Sequence, residues 1–278
     1  MRRTEFLITE LRNSTDNKDS ATKDAEILAY LNHGQMLIQN IIFQRNPKAD
    51  IFKKKTTYPY SSTKTYLLPD DVLAVNAISL VEVGSGDDFR AIDRIDESER
   101  IPGYYTEDKN VIIRGYENQD ARITYFKQLP KMDKRWGRIQ SVTTTFGVNF
   151  TLATGYDANA LEVDDYVSIV DKFGTQKVKG VYIKSTTGAQ WFTDNDITGA
   201  AANDFICMGK NSVNASELPD SCEPYLLDYA RQRIYTRNNY DDAGKQVYFT
   251  DKQEADIASL FSNNQKDTIF LPYAEDIC

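Results

Sequence analysis

Residues 164–185 read DDYVSIVDKFGTQKVKGVYIKS. Val167, Ile169, Val178 and Val181 are set among polar neighbours, the two-residue rhythm of strands with one buried side. Lys172, Phe173, Gly174 and Thr175 separate the two runs by a turn-forming stretch, so 165–171 and 178–184 are expected as a hairpin. The same character extends outward. Residues 138–145, 148–152 and 190–193 also read as strands, and 136–212 as a whole is rich in Thr, Val and Gly with almost no helical period. A separate β module over 136–212 is expected, with those four apolar residues supplying its core.

On the N-terminal side, residues 49–132 are short extended runs punctuated by turns. Strands are expected at 66–68, 74–83, 103–106, 111–114 and 121–126, forming one small antiparallel sheet. Asp70 and Asp71 follow Pro69 at a strand end, where aspartate caps a helical turn. Beyond these β segments both chain ends are helical. Ile27, Leu31, Ile38 and Ile41, with Leu28, Leu37 and Ile42 beside them, follow a 3.6-residue period over 22–44, with Ser20 or Thr22 as the cap. A shorter helix is expected at 4–11. Near the other end, Asp220 and Glu223 fit a capping box, Pro224 suits a first turn, and Leu226, Leu227, Ala230 and Ile234 form the apolar set. A last helix is expected from Asp241 or Asp242 to about Ser262, with Val247, Ile257, Leu260 and Phe261 facing inward. Helical ends bracketing two β-rich segments are the order produced by an insertion into an older unit.

Composition narrows the chemistry. The 278 residues give a prior of about two domains, and 41% hydrophobic with 27% charged residues is ordinary globular usage, which disfavours disorder. No apolar run reaches the roughly 18–20 residues of a membrane span, and Met1–Leu11 lacks the apolar stretch of a signal peptide. Cys207, Cys222 and Cys278 are odd in number and widely spaced, so neither a disulfide framework nor a CxxC metal site is expected. The single histidine, His33, removes mechanisms that need two imidazoles. There is no GxGxxG, Walker loop, GxSxG or HExxH. The acid pairs Asp87/Asp88, Asp164/Asp165 and Asp241/Asp242 fall in turn or strand-end contexts, where solvated aspartate is the base expectation. No catalytic, cofactor or metal residue is therefore assigned, and the protein is expected not to be an enzyme.

The net charge, 33 basic against 41 acidic residues or −8, opposes wholesale coating of DNA. Its distribution is uneven: residues 1–66 carry 11 basic and 7 acidic groups, residues 213–278 carry 6 and 12. Oppositely charged ends suit a protein that associates with itself. The basic run Arg45, Lys48, Lys53, Lys54 and Lys55 has two readings, a surface that faces phosphate in a DNA lumen or a solvated loop.

Two resemblances follow from these segments. The 164–185 stretch is similar to the hairpin core of small SH3-like barrels, a pattern shared by unrelated functions. The helix pair at the start, YLLPDDVLAVNAISLVEV (66–83), GYYTEDKNVIIRGY (103–116), ARITYFKQLP (121–130) and ELPDSCEPYLLDYARQRIYTRNN (217–239), taken in that order, resemble the head-to-tail connector proteins of tailed bacteriophages. These are the adaptor, head-completion or gatekeeper ring proteins. The resemblance covers 1–135 and 213–263 and leaves out 136–212.

The fold expected is α+β: a helical connector framework over 1–135 and 213–263 with a small antiparallel sheet, an inserted SH3-like β-barrel over 136–212, and an extended arm over 264–278. The resemblance implies a virion structural protein without a cofactor, made in the host cytoplasm and placed in the phage neck. Its implied partners are copies of itself in a ring, dodecameric in the family's common form, the portal protein and other neck or tail proteins. Double-stranded DNA would pass through without specific binding, and no membrane is involved. A net-acidic lumen wall suits that passage, since each neutralised phosphate adds a hold on the DNA. The alternative is a virion glycan-binding or glycan-cleaving component acting through the β insert. In the arm, Ile269, Phe270, Leu271 and Tyr273 around Pro272 are too apolar for a free terminus, so it is expected to dock on its own subunit or on a neighbour.

Overall fold

Helix α1 (Thr4–Ser14) forms because Leu7, Ile8 and Leu11 recur on one stripe and all three are buried. This structure, a computed structural model, describes residues 1–15, 23–46, 50–142, 149–152, 161–187, 190–194, 197–238 and 247–261. After α1 come α2 (Asp24–Arg45), β1 (Lys53–Tyr58), β2 (Thr65–Leu67), β3 (Ile78–Ser85), β4 (Asp88–Ala91), β5 (Gly103–Glu107), β6 (Asn110–Arg114), β7 (Asp120–Phe126) and β8 (Lys131–Met132). Then follow β9 (Gly137–Val142), β10 (Asn149–Leu152), β11 (Tyr166–Val170), β12 (Gln176–Thr187), β13 (Gln190–Thr193), β14 (Phe205–Met208), β15 (Ser212–Val213), α3 (Glu223–Asn238) and α4 (Asp251–Ser259). The architecture is mixed α+β with mainly antiparallel sheets. No helix among the described residues is long and apolar enough to cross a membrane.

The described chain forms two compact units, Met1–Asn40 with Pro130–Leu260 and Ile41–Leu129. In the second unit the expected single sheet is in fact two. One has the order β1-β7-β3-β4, the other β2-β6-β5. Their strands share one core of Tyr66, Val81, Val83, Tyr104, Val111, Ile113, Ala121, Ile123 and Tyr125. Two sheets enclose such a core where one would leave an apolar face in water. Strands β1 and β4 lie outside the expected set, because KKKTTY and DFRA carry too little apolar alternation to mark a strand. Asp71 does not cap a helix. Its carboxylate accepts hydrogen bonds from Lys54 and Tyr125.

In the first unit, six strands pair in a closed ring in the order β10-β13-β12-β11-β14-β9, with β9 and β10 also paired. Val167, Ile169 and Val181 are fully buried there with Ile139, Ile183, Trp191 and Ile206, while Val178 packs at the margin of this cluster. The β11–β12 register shifts between Val167 and Ile169, beside Gly180 on β12 at φ +66°, a conformation that suits glycine in a bulge and bends the long strand around the barrel.

Helices α2 and α3 meet at Gly34, where an added Cβ would lie 2.9 Å from both Leu226 and Tyr229. Leu226, Leu227, Ala230 and Ile234 of α3 are all buried, as their spacing predicts. Its start differs from expectation: Asp220–Cys222 is a 3-10 turn whose preceding residue is Pro219, and Glu223 bonds to Arg2. The capping box belongs instead to α4. Thr250 Oγ1 accepts from the Gln253 amide, and Gln253 Oε1 from the Thr250 amide. Helix α4 therefore starts nine or ten residues later than expected, with Ile257 buried, Leu260 39% exposed and Val247 ahead of the helix. Ser20, Thr22, Asp241 and Asp242 lie outside the described residues.

Candidate interaction surfaces

The basic run resolves into the exposed end of α2, at Arg45, and the edge strand β1. Successive β1 side chains alternate between faces, so the three lysines do not form one positive wall. Lys53 Nζ lies 2.9 Å from Asp50 Oδ1 and 5.5 Å above the Phe126 ring. Lys54 Nζ lies 2.7 Å from Asp71 Oδ2, and Asp71 Oδ1 takes the hydroxyl of fully buried Tyr125 at 2.9 Å. The bond to Asp71 raises the Lys54 ammonium above its ordinary range, against the opposing effect of burial. Lys55 Nζ is 4.0 Å from Glu82 Oε2. Lys48 lies outside the described residues. Asp71 and Glu82 are invisible as partners in the sequence because they come from a loop and a strand further along the chain, whereas Asp50 is only three residues from Lys53.

The oppositely charged chain ends meet inside the first unit. Arg2 Nε donates to Glu223 at 2.6 Å, basic start to acidic end, whereas its Nη1 lies 2.5 Å from Glu10 of the same end and Arg237 reaches Glu26 at 3.1 Å in the opposite sense. Their polarity is thus partly satisfied within one chain. On the outer side of α1, Arg2, Phe6, Thr9, Glu10, Asn13 and Ser14 line an open groove of about 700 Å3, with Phe6 59% exposed. The arm residues Ile269, Phe270, Leu271 and Tyr273 lie outside the described residues.

A polar junction that no local motif announces ties α1 to the barrel. Asn214 is fully buried; its Nδ2 donates to the Glu5 carboxylate at 2.9 Å and to the Asp133 carbonyl at 3.0 Å, and its Oδ1 accepts from Arg135 Nε at 3.0 Å. Its backbone takes Thr4 N–H at 2.7 Å and donates to Gly174 O at 3.2 Å. Asp133 is likewise enclosed, accepting from Met208 N and Trp136 Nε1, and burial pushes its carboxyl up in spite of those bonds. Both the amide nitrogen and the amide oxygen of Asn214 are engaged, which makes it a structural hub.

The remaining reactive groups are placed structurally. His33 Nδ1 and the Tyr229 hydroxyl are 2.9 Å apart where α2 meets α3. Asp164 accepts the Tyr182 hydroxyl, Asp165 accepts the Glu162 amide at 2.8 Å, and Asp88 is exposed on β4 next to Asp87 in the β3–β4 turn. Cys207 and Cys222 are buried and burial raises both thiols, Cys222 to about 11. Among the described residues no group of three His, Cys, Asp or Glu side chains could hold a metal ion. No protein-family model matches the chain, and no curated protein matches its sequence.

Proposed function

We propose that this protein is a head-to-tail connector of a tailed bacteriophage, a virion structural protein that forms a ring between portal and tail, extends the DNA channel and offers tail components a docking platform. The observation that carries the reading is the consecutive order of helix pair, β segments and helix pair that the connector-like motifs follow in the sequence. It is supported by the way the first 40 residues and residues 220–260, remote along the chain, share one compact unit through contacts such as Arg2 with Glu223 and Gly34 with Leu226. In this reading the six-stranded barrel is an SH3-like module carried by the helical framework, and the protein works by assembly and needs no reaction or cofactor.

Passing DNA requires a wall that does not grip phosphate. A net charge of −8 fits that requirement. Negative-stain imaging and native mass spectrometry of the purified chain, alone and mixed with portal rings, test the proposal. A closed ring with a central hole is expected. A chain that stays monomeric and binds no portal ring overturns it.

A further inference from the structure

We propose that the ring contact, granted the connector reading, is an edge-to-edge pairing of the four-stranded sheet, with β1 of one copy laid antiparallel against β4 of the next. β1 and β4 are the two open edges of the sheet β1-β7-β3-β4, and no other strand among the described residues pairs with either. Neighbouring strands in this sheet are all antiparallel, so β1 and β4 run in opposite directions. A second copy added to the β1 edge through its own β4 therefore continues the alternation without a break. Such a contact uses two different surfaces and repeats head to tail, as cyclic assembly requires.

Charge selects this pairing over the others. An exposed lysine-bearing edge normally guards a sheet against aggregation. Two β1 edges together would set Lys53, Lys54 and Lys55 against the same three residues. Against β4 the lysines meet Asp88 and, beside it in the turn, Asp87, both exposed. Lys54 and Lys55 retain 45% and 54% of their side-chain exposure, so their intrachain acids leave both ammonium groups accessible.

The faces also specify a register. Lys55 shares a face with Glu82, whose partner Arg122 is stacked 4.1 Å over Phe89, so Lys55, Lys53 and Phe89 belong to that side. Lys54 and Asp88 belong to the other. Directly opposed residues must share a face, which allows shifts of two residues only. Setting Lys54 against Asp88 also sets Lys53 against the Phe89 ring and leaves Arg90 beyond the lysines. A shift of two that brings Arg90 opposite Lys54 opposes like charges.

The test is a disulfide across the contact in the full-length chain with Cys278→Ser; Cys207 and Cys222 are buried. Within one copy, residues 54 and 88 lie three strand spacings apart sideways, about 14 Å, and level with Ile78 and Ser85 respectively along β3, so they are further apart still and any bridge joins two copies. Lys54→Cys with Asp88→Cys is expected to give a ladder of covalent oligomers on mild oxidation, whereas Lys55→Cys with Asp88→Cys, on opposite faces, gives none. In parallel, Lys54→Glu with Lys55→Glu should abolish assembly, and adding Asp87→Lys with Asp88→Lys should restore it; melting curves verify that each variant is folded. A wild-type ring by imaging with no ladder and no effect of the charge reversals overturns the edge pairing and leaves the connector reading standing. A wild-type chain that forms no ring, alone or with portal, and a cysteine pair that forms no ladder overturn both.

Discussion

Arg122 grips Glu82 across the central strands β7 and β3, its Nε 2.8 Å from Oε2 and its Nη2 2.7 Å from Oε1. The two residues are directly opposed in the ladder, and the guanidinium also lies 4.1 Å over Phe89 on β4. A two-pronged pair of this kind fixes strand register as well as charge. Its hydrogen bonds hold the Glu82 carboxyl below its ordinary range.

A pH dependence follows. Because the folded carboxyl titrates below the unfolded glutamate value of about 4.3, the pair's contribution is complete above that value and is lost as pH falls through the lower folded one. The melting temperature of the wild type is expected to drop between roughly pH 5 and pH 3 more steeply than that of Glu82→Gln, which cannot titrate there. Thermal melts across this range check the difference. Parallel curves would show that the pair is energetically silent.

Asn214 is the second test. Replacement by Ala strips the Glu5 carboxylate, Arg135 and the Asp133 carbonyl of a buried partner at once, with an expected loss of about 2–4 kcal/mol. Urea titration measures it. The loss should shrink when Glu5→Gln is already present, because the two residues share one network; full additivity would contradict the hub.

Two glycines separate backbone strain from crowding. Gly174 and Gly180 both have positive φ, +93° and +66°. A Cβ at Gly174 would lie 3.0 Å from the Ala215 amide, whereas at Gly180 the nearest atom is Lys210 O at 3.8 Å. Gly180→Ala is expected to cost about 1–2 kcal/mol from conformation alone. Gly174→Ala should cost more, since the hairpin turn must also move off the backbone of residues 214–215. Equal midpoints in denaturant would falsify the distinction.

The apolar tail offers a fourth. Truncation after Asn264 removes Ile269, Phe270, Leu271 and Tyr273. An arm that packs on its own subunit predicts a lower melting temperature of the monomer. One that reaches a neighbour predicts an unchanged monomer with impaired assembly, read by native mass spectrometry. No change in either measurement would mean that the arm contributes to neither.

Local pattern determined the helices and much of the barrel. The 3.6-residue stripe of Ile27, Leu31, Ile38 and Ile41 and the two-residue rhythm around Val167 and Ile169 express which side of an element leaves water, and that choice is made over a few adjacent residues. The Thr250–Gln253 capping box is equally legible in principle, as a Thr followed three residues later by Gln. Tertiary structure decided what chain-remote groups do to one another. It made KKKTTY an edge strand by giving it β7 to pair with, divided the β segments between two sheets so that both could bury a face, and supplied Lys54 with Asp71, Lys55 with Glu82 and Asn214 with Glu5. Those partners stand between 17 and 209 residues apart, and no periodicity spans such separations, because a hydrogen bond or ion pair depends on proximity in space and carries no trace in the spacing along the chain.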